Sequence, residues 1–387
     1  MKPDKLRAQF PILERGVFCN HAAIAPWPAC AAAAVQGFAA ENTRMGPVQY
    51  AQWIKRENKL REQLAQLTGA PSAQDIALLK NTTEGISTVA WGLDWAPGDN
   101  VVLPADEFSS NRLPWLAQAE RGVEIREVDI RSAVHAETSL LEAVDERTRI
   151  VAVSAVQWSD GFRLDLQSLG TGCKARGVLF FVDAIQQLGA LRIDVDACHI
   201  SFLAADAHKW LLGPEGMAVF YSHKDARPLV QLRQLGWHMF DQPFSFGRTD
   251  WTPANSARRF EAGSPNTLGQ VALQASVELL LATGMEEVER RILANTAALI
   301  DGLVQIPGLS VVSRSELQRR SGIVSFKSAS IAAAAVHAAL SRAGIICVVR
   351  DQAVRLSPHF YQGEGEISRI LAAVRVALET LGTAQPG

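Results

Sequence analysis

The chain has 387 residues, 48% of them apolar and 20% charged, with a formal net charge of −2; this is the balance of a folded chain with a large core and excludes a disordered polyelectrolyte. No basic block favours nucleic acid or an anionic membrane, and no apolar stretch reaches the length of a bilayer span. The five cysteines (Cys19, Cys30, Cys173, Cys198, Cys347) are odd in number and form no Cys-x-x-Cys pair, which reads as reduced thiols in a cytoplasmic protein and argues against zinc.

The start, Met1-Lys2-Pro3-Asp4-Lys5, lacks the apolar core of a signal peptide. Ala31 to Ala34 belongs to an alanine-rich helix, and Val48 to Leu67 has the period of a long amphipathic one. Strand-like runs then alternate with helical segments. Ile76 to Leu79 is followed by a helix opening at Thr82, and Val101 to Leu103 by further strands at Glu124 to Val128, Ile150 to Val153, Val178 to Val182, Ile200 to Ala204 and Met217 to Tyr221. Segments of helical period, such as Ser139 to Val144 and Leu166 to Arg176, lie between them. This rhythm predicts an α/β domain with a mostly parallel, doubly wound sheet. It breaks near residue 225. Gly236 to Pro265 has no clear period, and residues 268–304 read as two helices divided at Thr283-Gly284. Short strands and two helices follow, a small C-terminal α+β domain. The expected organisation is an N-terminal segment over 1–20, a large domain over 21–260 and a small one over 261–387.

Two strand ends carry the chemistry. The run Val178 to Val182 stops on Asp183, with Gln186 three residues on. The run Ile200 to Ala205 leads into Asp206-Ala207-His208-Lys209-Trp210. In α/β folds the carboxyl edge of the sheet is where ligands bind. A carboxylate on one such end and a lysine on another suit pyridoxal phosphate: the amine condenses with the aldehyde, and the carboxylate keeps the ring nitrogen protonated so that the ring accepts electrons. Either residue alone says little, since Asp183 could cap a helix and most lysines are solvated charges.

The order Thr82-Thr83-Glu84, Glu107-Phe108-Ser109-Ser110-Asn111, Asp183-Ala184-Ile185-Gln186, His208-Lys209 and Arg259 to Asn266 resembles the class V aminotransferase family of fold-type I pyridoxal-phosphate enzymes, which includes cysteine desulfurases, kynureninases and isopenicillin N epimerase. The resemblance runs from about Asn20 to Tyr361. It implies that Lys209 holds the cofactor aldehyde, that Asp183 pairs with the pyridinium nitrogen and that Gln186 meets the phenolic oxygen. Thr83, at a helix N-terminus suited to an anion, would hold the phosphate. His208 would lie beside the phosphate or ring, Phe108 would stack on the ring, and Asn111 belongs to the same cofactor-binding motif. Arg355 would grip the substrate carboxylate by a bidentate pair; Arg44 would shape the substrate pocket, and His21, in the entry segment, would either touch substrate or make a structural hydrogen bond. Ser264 would reach a partner subunit's phosphate, so a homodimer is implied.

Departures from the pattern narrow the chemistry. Desulfurases place a nucleophilic cysteine on a mobile loop shortly before the residue matched by Arg355; here only Val348 to Val354 fills that interval, and Cys347 lies in an apparent strand. Asp206 stands where desulfurases often have a phosphate-binding serine, and Ala155 replaces their asparagine. Val156 to Gly161 follows a kynureninase-like pattern instead. Gly170-Thr171-Gly172-Cys173-Lys174-Ala175 spells part of a dinucleotide fingerprint, but it lies late in a helix, the wrong context. Cys198, His199, Asp206 and His208 lack metal-ligand spacing, so no metal is expected. The expected activity is a lyase, by elimination or Cβ cleavage, acting on an amino acid as an external aldimine without a persulfide cysteine. Transamination and epimerisation or racemisation are the alternatives within catalysis, and a cofactor-binding protein without activity is the alternative outside it. Substrate side chain, pathway and the role of Asp206 are not legible at this level.

Overall fold

Apolar runs bounded by turn residues form the strands of a mostly parallel sheet. The computed structural model describes residues 3–245, 247 and 252–383. Helix α1 (Pro3–Arg7) and strand β1 (Val17–Phe18) precede helices α2 (Ala29–Met45) and α3 (Tyr50–Thr68). The alternating region follows as β2 (Ile76–Leu79), α4 (Thr82–Gly92), β3 (Asn100–Pro104), α5 (Ser109–Leu116), β4 (Glu124–Val128), α6 (Ala136–Glu142), β5 (Thr148–Ser154), α7 (Leu166–Ala175), β6 (Leu179–Asp183), β7 (Phe202–Asp206) and β8 (Ala218–Ser222). These strands form one sheet in the order β2-β8-β7-β6-β5-β3-β4. Only β8 runs antiparallel to its neighbours.

The sheet is covered on both faces, and the residue alternation shows it. Val151, Val153, Phe180 and Val182 face one core, while Ile150, Ala152 and Phe181 face the other. Strands buried on both sides therefore read as unbroken apolar runs. Gly170, in α7, sits so close to the next turn that a Cβ would lie 1.7 Å from the Cys198 carbonyl oxygen. That contact is a packing reason for the fingerprint-like glycine.

Past residue 260 come α8 (Thr267–Thr283), α9 (Met285–Val304), β9 (Leu309–Val311), β10 (Val324–Ser328), α10 (Ala333–Arg342), β11 (Ile345–Ile346), β12 (Val348–Arg350), β13 (Ala353–Leu356) and α11 (Glu364–Thr383). An antiparallel sheet of order β12-β13-β10-β9 builds the small domain. Helices α8 and α9 meet at Gly284, whose φ of +87° suits glycine, and bend by 83°. No single described helix is long and apolar enough to cross a membrane.

Helix α9 carries the chain from one core to the other. Helix α8 packs on α2 and α3. Val288 and Ile292 of α9 still belong to the large core, and Leu299, Ile300 and Leu303 to the small one. The N-terminal segment touches both cores: Leu6 and Phe10 pack in the large one, while β1 pairs in parallel with β11 and Asn20 bridges to Ser357.

Candidate active site

Three parallel strands deliver polar ends to one place. Asp183 ends β6, Asp206 ends β7, and Ser154 ends β5 in register with Asp183. Asp183 is buried, and its Oδ1 accepts the Ile185 N–H at 3.0 Å. Glu107, after β3, is also buried and accepts the Ser154 N–H at 2.6 Å and the Ser154 hydroxyl. Lys209 follows β7 in a turn closed by Ala207 N–H to Met217 O at 2.9 Å and Gly213 N–H to Ala207 O at 2.8 Å.

These charges are close but not neutralised by direct contact. Burial holds the Lys209 amine below its ordinary range; Asp183 and Asp206 oppose that effect, while Arg355 and Arg350 add to it. Burial raises the Asp183 carboxyl, the Ile185 N–H opposes this, and Glu107 adds to it. The lysine and the aspartate are thus each pushed toward neutrality.

Phe108, from another of the motifs, stands beside the lysine. The Phe108 ring centroid lies 5.8 Å from Lys209 Nζ, and the ring meets Trp158 edge-on at 5.8 Å. Its 43% exposure leaves a face open for a ring to stack on. Thr83 stands in the first turn of α4, its hydroxyl donating to Ser110 Oγ at 2.9 Å. His208 is held below its usual range, near 4, by burial and Lys209. Asn111 is fully buried and accepts the Trp115 indole N–H at 3.2 Å, so it supports the motif from behind. Gln186 donates to Ala22 O at 3.0 Å and accepts the Trp210 indole N–H at 2.9 Å, which leaves one amide N–H for a ligand. Ser264 is exposed, in the loop before α8.

Arg355 is the clearest sign of a missing anion. It is only 2% exposed, its Nη1 donates to Trp158 O at 2.6 Å, and its Nε has no partner among the described residues. Burial and the nearby Arg350 lower it to about 9. Arg350 and Arg355 lie on the same face of the β12–β13 hairpin, as the pairs Val348–Arg355 and Arg350–Ala353 require.

Of the two residues expected near a substrate, His21 makes the structural hydrogen bonds that were its other expected role. His21 has no exposure; its Nδ1 meets Ser357 O and its Nε2 the Tyr361 hydroxyl, each at 2.7 Å. No ring nitrogen is left for a substrate, and the residue pins the N-terminal segment to the small domain. Arg44 is exposed in the last turn of α2. Sequence reasoning missed Arg131, which bonds Asp106 at 2.8 Å and Asp351 at 3.0 Å and ties the hairpin tip to the segment carrying Glu107 and Phe108. Nothing in its neighbours along the chain signals that span.

A second buried cluster was also invisible in the sequence. Glu57, His238 and Glu261 bring their ligand atoms within 4.8 Å of one another. Arg61 already fills the cation position, donating to Glu57 at 2.7 Å and to both Glu261 oxygens at 2.7 Å. It is an ion-pair network.

The cleft fits pyridoxal phosphate. Lys209 can take the aldehyde, Asp183 the ring nitrogen, the first turn of α4 the phosphate, and Arg355, whose Nε has no partner among the described residues, a substrate carboxylate. A doubly wound sheet carrying this lysine–carboxylate pair on its carboxyl edge defines a fold-type I enzyme whose cofactor is pyridoxal phosphate.

The model of the aminotransferase class-V family matches residues 17–370, and the chain belongs to that family. A probable cysteine desulfurase of Methanothermobacter thermautotrophicus is 30% identical over 330 residues, 84% of this chain and 81% of the relative. A cysteine desulfurase of Pectobacterium carotovorum is 31% identical over 342 residues, 84% of this chain and 83% of the relative. Among solved structures, the complex of the cystine C-S lyase C-DES with cysteine persulfide is similar with a TM-score of 0.88 and 26% identity, covering 95% of this chain and 99% of that one.

Proposed function

We propose that this enzyme is a C–S lyase that releases the side-chain sulfur of an amino acid by β-elimination, without an enzyme persulfide. One observation carries the reading: the segment before Arg355 is a tight hairpin turning at Asp351 and Gln352, both at positive φ, and contains no cysteine. Cys347, just before it, is buried in the small-domain core, where burial raises its thiol to about 12. A thiol so placed is not a nucleophile.

Bound pyridoxal phosphate supplies an electron sink for charge developing at the substrate α-carbon. Lys209, kept near neutrality by its surroundings, takes the α-proton as general base. Asp183 holds the proton on the ring nitrogen. Arg355 fixes the α-carboxylate, and Phe108 covers the ring and limits water. Arg350 gives the pocket a second positive charge, which suits a substrate with two carboxylates. Cystine, named for the lyase of similar fold, is such a substrate. Exposed Ser264, four residues before exposed Leu268, supports a homodimer in which this loop meets a partner's phosphate. The cysteine usage supports a cytoplasmic setting.

Product analysis tests the reading. With cystine or cysteine, wild type and a variant lacking all five cysteines should yield equal molar amounts of pyruvate and ammonia, at rates within about threefold of each other. Alanine with sulfane sulfur on the protein, lost in a folded cysteine-free variant, would restore a desulfurase; a keto acid formed only with an added amino acceptor would indicate transamination.

A further inference from the structure

Asp206 is a carboxyl group already seated where a cofactor anion must bind. Its Oδ1 accepts the Thr82 N–H at 2.9 Å, and its own N–H donates to the Thr82 hydroxyl at 2.9 Å. Thr82 is the first residue of α4. The Asn81 side chain takes the Glu84 N–H at 2.8 Å. Of the first three amides of this helix, therefore, only that of Thr83 is left without a partner among the described residues. A cofactor phosphate brings negative charge to this same helix start.

The groups facing Asp206 do not neutralise it. Asp183 approaches from β6, and Lys209 and His208 from the segment after β7, with His208 Nδ1 3.8 Å from Asp206 Oδ2. His208 is held neutral by burial and by Lys209. Lys209 is shared with Asp183, and α4 contributes its dipole and the Thr82 donors. Burial raises the Asp206 carboxyl to about 7; the Thr82 N–H and Lys209 oppose the rise, and Asp183 strengthens it.

We infer that Asp206 binds the cofactor phosphate as a carboxylic acid, keeping the Thr82 amide on one oxygen and donating its O–H to a phosphate oxygen. A carboxylic acid offers one donor and one acceptor, so it does here what a serine hydroxyl could do. The difference is a titrating proton. Cofactor binding must then take up a proton whenever Asp206 starts ionised.

The inference rests on the cofactor and not on the reaction, so failure of the C–S lyase proposal leaves it standing. The test is the dissociation constant of pyridoxal phosphate from about pH 6 to about pH 9, for apo wild type, Asp206→Ser and Asp206→Asn. Calorimetry in two buffers of different ionisation heat counts the protons taken up, and pyridoxal serves as the phosphate-free probe. Relative to Asp206→Ser, wild type should lose affinity about tenfold per pH unit above neutrality and take up about one more proton there. Pyridoxal should show neither difference, and Asp206→Asn should follow the serine variant in slope. Parallel pH profiles with equal proton counts, or a deficit in the variants that is constant with pH, would make Asp206 a structural cap and overturn the inference. Melting temperatures of the apo variants identify any that fail to fold; Asp206→Asn, the conservative change, then carries the comparison.

Discussion

Two buried clusters of acids and bases differ in how their charges are met. In the cluster of Glu57, Arg61, His238 and Glu261, the guanidinium reaches both carboxylates at 2.7 Å. Burial pushes Glu57 up, but the Arg61 charge and hydrogen bond bring it below its ordinary range, and Arg61 itself ends up raised. At the strand ends, Asp183, Asp206 and Lys209 lie within one another's fields, yet burial moves each toward its neutral form. Arg355 is buried with no carboxylate partner among the described residues. The paired cluster holds the fold together. The unpaired one stores a demand for charge that a cofactor and a substrate can meet, and such mismatches collect at functional sites.

Breaking the paired cluster should give the larger effect on stability. Arg61→Met leaves two buried carboxylates without their cation and should cost about 3–5 kcal/mol in unfolding free energy, measured by denaturant titration of the apo protein. The sign with pH follows from Glu57. Its lowered pKa stabilises wild type fully above the ordinary carboxyl range, near about 4.3, and that contribution is lost as pH falls through the lowered value. In the variant Glu57 is raised by burial alone, so its penalty shrinks on acidification. The gap between the two proteins should therefore close below about pH 4. A gap that is small at neutral pH, or that widens in acid, would show that this network is not the paired one.

Breaking the unpaired cluster should leave stability alone and move function. Arg355→Ala should raise the apparent KM for the amino acid by the loss of a buried charged contact, about 2–5 kcal/mol. The cofactor spectrum should be unchanged, and stability unchanged or improved, because a buried cation without a partner is removed. An unchanged KM would move the carboxylate site elsewhere, with Arg350 next in line.

What could be read along the chain was what is local. Glu124 to Val128, the division at Gly284 and the strand ends at Asp183 and Asp206 follow from apolar runs and their stops, which neighbouring residues determine. The Asp183–Lys209 pair was legible because Asp183 ends one strand and Lys209 closely follows the end of its parallel neighbour. For His21 the chain leaves substrate contact and structural hydrogen bond equally open, because its neighbours give no sign that Ser357 and Tyr361 take both nitrogens. Residues 57, 61, 238 and 261 stand far apart in the chain, so their network required the fold. Likewise, Arg131 could be seen as the tie on the hairpin tip only once Asp106 and Asp351 were placed together. The role of Asp206 depended on knowing that the Thr82 amide lies beside it.

The central claim is that the unpaired cluster is the cofactor site and Lys209 its covalent anchor. Reduction of the reconstituted protein with borohydride, followed by peptide mapping, tests it most directly. The account predicts a single pyridoxyl adduct on Lys209, and for Lys209→Ala no such adduct, no visible cofactor band and turnover lower by about a thousandfold or more. An adduct on another lysine, or a borohydride-reducible band of normal intensity in Lys209→Ala, would contradict it.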